Sequence, residues 1–111
     1  MTEITVSSGE ELDAVMGSAT GPVVVLFTAP AWCGPCRRFE PHWNKAQESP
    51  DLADFTFVRI DMGQTPEDTG QHWATDRFNI LGVPQIKLMA NDGITTITAR
   101  AVVPLIRELL S

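Results

Sequence analysis

The stretch that decides the fold runs from Pro22 to Cys36 and reads PVVVLFTAPAWCGPC. Its first part, Pro22 to Thr28, is a continuous apolar run rich in β-branched residues, which predicts a strand buried on both faces. The residues from Arg37 to Gln47 have helical character. The chain therefore passes from a buried strand through a short turn into a helix, and Cys33 is expected at the N-terminal end of that helix.

Cys33 and Cys36 are the only cysteines among 111 residues. A disulfide between them would close a very short loop and would constrain the unfolded chain little, so we interpret the pair as reactive rather than structural. Unpaired N–H groups and the helix dipole favour a negative charge at a helix N-terminus, and the thiolate is the nucleophilic form of cysteine. We therefore predict that Cys33 is the nucleophile and that Cys36, in the first helical turn, is more buried.

The run Trp32-Cys33-Gly34-Pro35-Cys36 after a valine-rich strand resembles the active-site sequence of the thioredoxin family. Two other stretches carry the same resemblance. Gly82-Val83-Pro84 precedes the apolar run Gln85 to Met89, and Pro41 follows Cys36 by five residues, where it is expected to bend or interrupt the helix. The resemblance extends in order over nearly the whole chain.

The resemblance implies a protein thiol–disulfide oxidoreductase that uses Cys33 and Cys36 as a redox-active disulfide. Cys33 would attack a client disulfide, and Cys36 would then attack Cys33 and release the reduced client. It implies a cis Val83–Pro84 bond beside the cysteines. The substrate-binding residues that it implies are Trp32, Gly34, Pro35, Gly82, Val83 and Pro84. The implied partners are disulfide-containing client proteins and a reductant such as a flavin-containing thioredoxin reductase, and no cofactor is implied.

Patterns along the rest of the chain predict a single α/β domain over residues 1–111, with a central mixed sheet flanked by helices in the order βαβαβαββα. Turn residues before Gly93 indicate that the last two strands form a hairpin. The predicted strands are 4–6, 22–28, 55–60, 85–89 and 94–99. The predicted helices are 8–16, the active-site helix to about 49, 65–77, and a last helix from 102 or 104 to 110.

Composition excludes several classes of function. Eight basic and fourteen acidic residues give a formal net charge of −6, which argues against a surface for nucleic acid or anionic membranes. Residues 1–5 lack the features of a signal peptide, and no apolar run approaches the ~20 residues that span a bilayer. We therefore expect a cytoplasmic protein without a membrane partner, acting as a monomer.

Other uses of the cysteine pair fit the sequence less well. A c-type haem site needs histidine directly after the second cysteine, and Arg37 stands there. A zinc site needs about four ligands, and only His42 and His72 could complete one, at irregular spacings. We interpret His42 as a polar residue on the active-site helix and His72 as a helix-surface residue, and we expect no stoichiometric zinc.

The chain departs from the thioredoxin pattern at the residue that would take up the proton of Cys36. Members of that family carry a buried aspartate in the second strand, and here either Leu26 or Phe27 occupies its place. Phe57 stands near the usual position of its basic partner, with Arg59 close by. Glu40 lies one helical turn after Cys36 and is a candidate base, but we interpret it as exposed helix surface. The segment 61–84 is also longer than usual.

These departures leave two other functions open. In the first, the protein carries out the same thiol–disulfide exchange but serves one enzyme only, as a dedicated electron donor to an enzyme such as a ribonucleotide reductase. The second is a thioredoxin-fold binding module, in which redox activity is vestigial. Turnover of a generic disulfide substrate distinguishes them.

Overall fold

A five-stranded mixed sheet forms the centre of the protein. The computed structural model describes residues 3–90 and 93–97. The elements are β1 (Glu3–Thr5), α1 (Gly9–Ser18), β2 (Val23–Thr28), α2 (Gly34–Glu48), a single 3₁₀ turn (Pro50–Leu52), β3 (Thr56–Asp61), α3 (Pro66–Gly70), α4 (Trp73–Phe78), β4 (Gln85–Ala90) and β5 (Gly93–Ile97). The predicted last helix, the hairpin turn at 91–92 and strand residues 98–99 lie outside the described residues.

The strand order is β1-β3-β2-β4-β5, and it confirms the predicted mixed sheet. β1, β3 and β2 run parallel, whereas β4 is antiparallel to β2 and β5 is antiparallel to β4. Parallel neighbours need crossover connections, which α1 and α2 supply, and β4 and β5 form the hairpin that the sequence predicts. None of the helices in the described part of the chain is long and apolar enough to cross a membrane.

The central strand β2 is buried along its whole length, as its apolar run predicts. Side chains on a strand alternate between the two faces of a sheet. Val24 and Leu26 therefore lie in the core that α2 covers with Phe39 and Trp43. The intervening residues Val23, Val25 and Phe27 lie in the core on the opposite face.

Two expectations about helices are corrected. The segment 65–77 forms two short helices rather than one, because the first ends at Gly70 and His72 begins the second. The Nδ1 atom of His72 accepts a hydrogen bond from the N–H of Ala74 at 3.1 Å, so this side chain is an N-cap and not a helix-surface residue. The helix α2 is continuous through Pro41, whose side of the helix faces solvent.

Candidate active site

Cys33 and Cys36 form a disulfide at the N-terminus of α2, where the sequence places them. Cys33 is the N-cap residue of the helix, and the backbone N–H of Cys36 donates to its sulfur at 3.1 Å. Cys33 is 4% exposed and Cys36 is fully buried, so the predicted order of burial is confirmed. In the reduced protein a thiolate at Cys33 would gain this N–H donor and the positive end of the helix dipole.

The Val83–Pro84 peptide bond is cis, as predicted, and it lies beside the cysteine pair. The sulfur of Cys33 is 3.6 Å from the carbonyl oxygen of Val83, fifty residues away in sequence. Val83 and Pro84 are half-buried, and Gly82 is exposed. The backbone before Pro84 is therefore open beside the nucleophile, where an extended client segment could pair with it.

The remaining predicted substrate-binding residues lie around the same sulfur. Gly34 and Pro35 form the first turn of α2, and Pro35 is exposed. Trp32 precedes Cys33 and is half-buried. The fold thus brings Trp32, Gly34 and Pro35 from one loop together with the cis-proline segment from another, as the family resemblance implies.

The segment between β3 and α4 reaches the active site through Trp32. The indole N–H of Trp32 donates to the hydroxyl oxygen of Thr69 at 3.1 Å. Thr69 lies in α3, whose N-cap is Thr65, as the sequence predicts. Nothing in the sequence around Thr69 singles it out, because the contact joins residues 37 positions apart. It ties α3 to the residue that precedes Cys33.

The face of the sheet on which each side chain lies shows whether Leu26 or Phe27 takes the place of the family's buried aspartate. Leu26 and Phe27 are both fully buried. Leu26 lies on the α2 side, in register with Arg59 of β3, whereas the ring of Phe27 packs against Phe78 at a centroid distance of 5.4 Å on the other side. Leu26 therefore stands beneath the active-site helix, and neither residue can accept a proton.

A charged network lies on this same face and corrects the interpretation of Glu40. Arg59 donates from both terminal nitrogens to the carboxylate of Glu40, one bond being 2.8 Å long, and from Nε to Glu3 at 3.1 Å. Trp43 and Gln47 also donate to Glu3. These hydrogen bonds, led by that to Glu40, raise the pKa of Arg59 against the opposing effect of burial. Glu40 is thus a partner in a half-buried ion pair rather than free helix surface.

His72 is the N-cap residue of α4 and lies close to Asp61 at the end of β3. Burial lowers its pKa below the ordinary value of 6.5, and this outweighs the backbone hydrogen bond and the charge of Asp61, which act in the opposite direction. The capping bond to Ala74 also requires an unprotonated Nδ1. The folded protein therefore favours neutral His72.

We expect the stability of the protein to fall as pH decreases below about 6.5, because the unfolded chain then binds a proton that folded His72 resists. The stabilisation from neutral His72 is fully present above that pH and is lost as pH falls through the lower folded value. Denaturant unfolding across this range measures the effect. His72→Asn keeps a capping side chain without a titrating ring, so its stability curve should be flatter. An identical pH slope in both proteins would contradict the assignment.

The described residues offer no metal centre. Within residues 3–90 and 93–97, no three His, Cys, Asp or Glu side chains cluster closely enough to hold a metal ion. His42 is exposed on α2, where its ring stacks on Phe39, and His72 caps α4. The two histidines that could have completed a zinc site thus lie on separate elements.

Comparison with known proteins agrees with this geometry. The family model described as Thioredoxin matches residues 3–104. Similar curated proteins include thioredoxin M2, chloroplastic, of Arabidopsis thaliana, 37% identical over 76 residues, which are 64% of this chain and 37% of that protein. Thioredoxin-2 of Dictyostelium discoideum is 42% identical over 59 residues, 53% of this chain and 61% of that protein. The chain thus matches less than two thirds of the length of each of these two relatives.

Solved structures show the same fold. The thioredoxin of Trypanosoma brucei brucei superposes with a TM-score of 0.77 at 19% identity, covering 98% of this chain and 91% of that one. The thioredoxin of Malassezia sympodialis gives a TM-score of 0.77 at 20% identity, covering 100% and 96%. The match to the family model extends over nearly the whole chain and includes both cysteines and the cis-proline. This chain therefore belongs to the thioredoxin family.

Proposed function

We propose that the protein is a thiol–disulfide oxidoreductase that reduces disulfides in client proteins. The observation that carries this proposal is the Cys33–Cys36 disulfide at the N-terminus of α2, with the sulfur of Cys33 3.6 Å from the carbonyl of Val83. A helix N-terminus favours the thiolate, and the open backbone before Pro84 offers hydrogen bonds that do not depend on client sequence.

The proposed reaction begins with the reduced protein. The Cys33 thiolate attacks one sulfur of a client disulfide, forms a mixed disulfide and expels the other client sulfur as a thiolate. Cys36 then loses its proton and attacks Cys33, which re-forms the Cys33–Cys36 disulfide and releases the second client thiolate. Two electrons pass from the dithiol to the client, and two protons complete the client thiols.

A reductant must return the two electrons. We propose a flavin-containing thioredoxin reductase for this role, because the family chemistry requires a dithiol to be regenerated after each turnover. We further propose that the protein acts as a monomer in a reducing compartment such as the cytoplasm, where thiols are kept reduced. One relative is named as chloroplastic, so imaging of a tagged protein is needed to test the compartment. Light scattering of the purified protein tests the monomeric state.

Reduction of insulin is the first test of the proposed function. With dithiothreitol as electron source, the protein should accelerate the precipitation of reduced insulin chains in proportion to its concentration. A variant in which both cysteines are replaced by serine should match the uncatalysed rate. A wild-type rate equal to that of the double variant would contradict general disulfide reduction.

A dedicated electron donor is the second candidate, and the apolar pair Leu26 and Phe27 favours it. Without an acid at either position, the attack of Cys36 on the mixed disulfide near neutral pH depends on other groups. A dedicated client could supply such a group, whereas a general set of clients would not. Clients trapped as mixed disulfides on Cys36→Ser distinguish the candidates. Many trapped proteins support a general reductase, and one dominant protein supports a dedicated donor.

A further inference from the structure

Two consecutive arginines, Arg37 and Arg38, follow Cys36 in α2 and form an exposed arginine pair beside the active site. They stand three and four residues after Gly34. Side chains on a helix point back toward its N-terminus, so residues at these two spacings lie over the same surface. A side-chain carbon at Gly34 would accordingly lie 3.2 Å from Nη1 of Arg38 and 3.9 Å from Nη2 of Arg37. Both guanidinium groups therefore lie close to the residue that directly follows Cys33.

A contact with the loop before α2 holds one of these cations in place. Nη1 of Arg37 donates to the carbonyl oxygen of Pro30 at 2.6 Å, across the loop that leads to Cys33. This bond uses one N–H of a guanidinium group that carries five, so the group keeps further donors for a ligand.

The arginine pair differs from the other two arginines in the described part of the chain. Arg59 and Arg77 each form a salt bridge with at least one carboxylate, whereas within residues 3–90 and 93–97 the arginine pair forms none. The planar guanidinium group matches a carboxylate with two parallel hydrogen bonds. Two groups suited to bind carboxylates thus lie beside the nucleophile, and no carboxylate of the described residues occupies them.

The charge at this place is opposite to that of the whole protein, whose formal net charge is −6. The acidic residues Glu67 and Asp68 belong to α3, which contacts Trp32. The overall negative field attracts client segments with positive charge, whereas direct contact near Gly34 favours negative charge. These two effects predict opposite preferences, so an experiment can separate them.

We propose that Arg37 and Arg38 select client segments that carry acidic residues next to the disulfide cysteine. This inference rests on the proposed function and names the class of client that it favours. The client cysteine reacts at the sulfur of Cys33, and the arginine pair binds the carboxylate of a residue close to that cysteine in sequence. The arginines bind the client and take no part in the transfer of electrons or protons.

Three disulfide-linked peptides test this inference, and they differ only in the residues beside the cysteine, which are glutamates, glutamines or lysines. The rate of reduction of each peptide by the pre-reduced protein is measured in a single turnover. Arg37→Gln, Arg38→Gln and the double variant remove the charges and keep good helix formers. Lys45→Gln is the matched control, because it removes an exposed cation from the last turn of the same helix.

We expect the ratio of the glutamate rate to the lysine rate to fall by about two- to fivefold in each single variant and by about tenfold in the double variant, the scale of exposed ion pairs. Lys45→Gln should leave this ratio unchanged. Comparison of the same ratio between proteins cancels the intrinsic reactivity of each peptide and any effect of the arginines on Cys33 itself. In about 1 M salt, where the screening length is ~3 Å, the wild-type ratio should also fall.

An equal ratio in wild type and the double variant would overturn the proposal. An equal fall in Lys45→Gln would overturn it as well, because the preference would then follow net charge. If a variant fails to fold, the wild-type protein still decides, since a ratio that stays constant or rises with salt contradicts direct binding of carboxylates. Failure to reduce any of the three peptides would count against the proposed function and, with it, this inference. Reduction of all three without dependence on the arginine pair would count against this inference alone.

Discussion

Cys33→Ser is expected to abolish reduction of protein disulfides, whereas Cys36→Ser should accumulate mixed disulfides with clients. The physical reason is the helix N-terminus, where Cys33 is the cap and receives the N–H of Cys36. A serine hydroxyl at that position stays protonated near neutral pH and is a poor nucleophile toward sulfur. Cys36 is fully buried, so it can reach only the sulfur of Cys33 and not a client.

Alkylation and mass spectrometry test this division of roles. Iodoacetamide should modify Cys33 first in the reduced protein at mildly acidic to neutral pH, and Cys36→Ser should retain this rapid reaction. Mixed disulfides should be recovered from Cys36→Ser and not from Cys33→Ser. Rapid alkylation of Cys36 alone in the reduced wild-type protein would show that the two roles are reversed.

Leu26→Asp should speed resolution of the mixed disulfide near neutral pH and lower the stability of the fold. The new carboxylate would lie on the face that α2 covers, with Arg59 in register with it on β3, and it is expected to accept the proton of Cys36. We expect a loss of roughly 1–3 kcal/mol in the free energy of unfolding, because the carboxyl group is buried and imperfectly satisfied. Wild-type resolution should instead be slow near neutral pH and accelerate as pH rises, since apolar burial disfavours the Cys36 thiolate.

Phe27→Asp tests the other register, because the same group enters the core on the opposite face, which also contains Cys36. Its ring packs on Phe78, and removing a buried aromatic ring typically costs about 3–5 kcal/mol before the carboxyl group is buried. We expect larger destabilisation, and a gain in rate in only one of the two variants. Release of the thionitrobenzoate leaving group from a mixed disulfide on Cys33, followed over a range of pH, measures resolution in each variant. Fast pH-independent resolution in wild type would indicate that another base, such as Glu40, already acts.

Local patterns predicted the parts of the fold that depend on neighbouring residues. The apolar run of β2 is buried as expected, and Ser8 and Thr65 cap α1 and α3 through their side chains. The active-site helix likewise begins at Gly34, directly after Cys33. Strand burial and helix capping involve residues only a few positions apart, so the sequence carries the information directly.

Periodicity failed where a local hydrogen bond competes with helix continuation. The stretch 65–77 reads as one helix, yet the imidazole of His72 offers its own acceptor to the N–H of Ala74 and starts a new helix. The buried Lys87 likewise makes a hydrogen bond that the local sequence pattern does not show. It occupies an apolar strand position, and only the pairing of β4 with β5 shows that its amino group donates to Thr96 at 2.8 Å.

The sequence by itself determined the α/β class, the reactive cysteine pair, its place at a helix N-terminus and the proline that lies beside it. Tertiary structure alone decided that Leu26, and not Phe27, lies beneath α2 and that Glu40 pairs with Arg59. The physical reason is that the face of a strand changes with every residue, so a one-residue ambiguity in register is settled only when the helix packs on one side of the sheet.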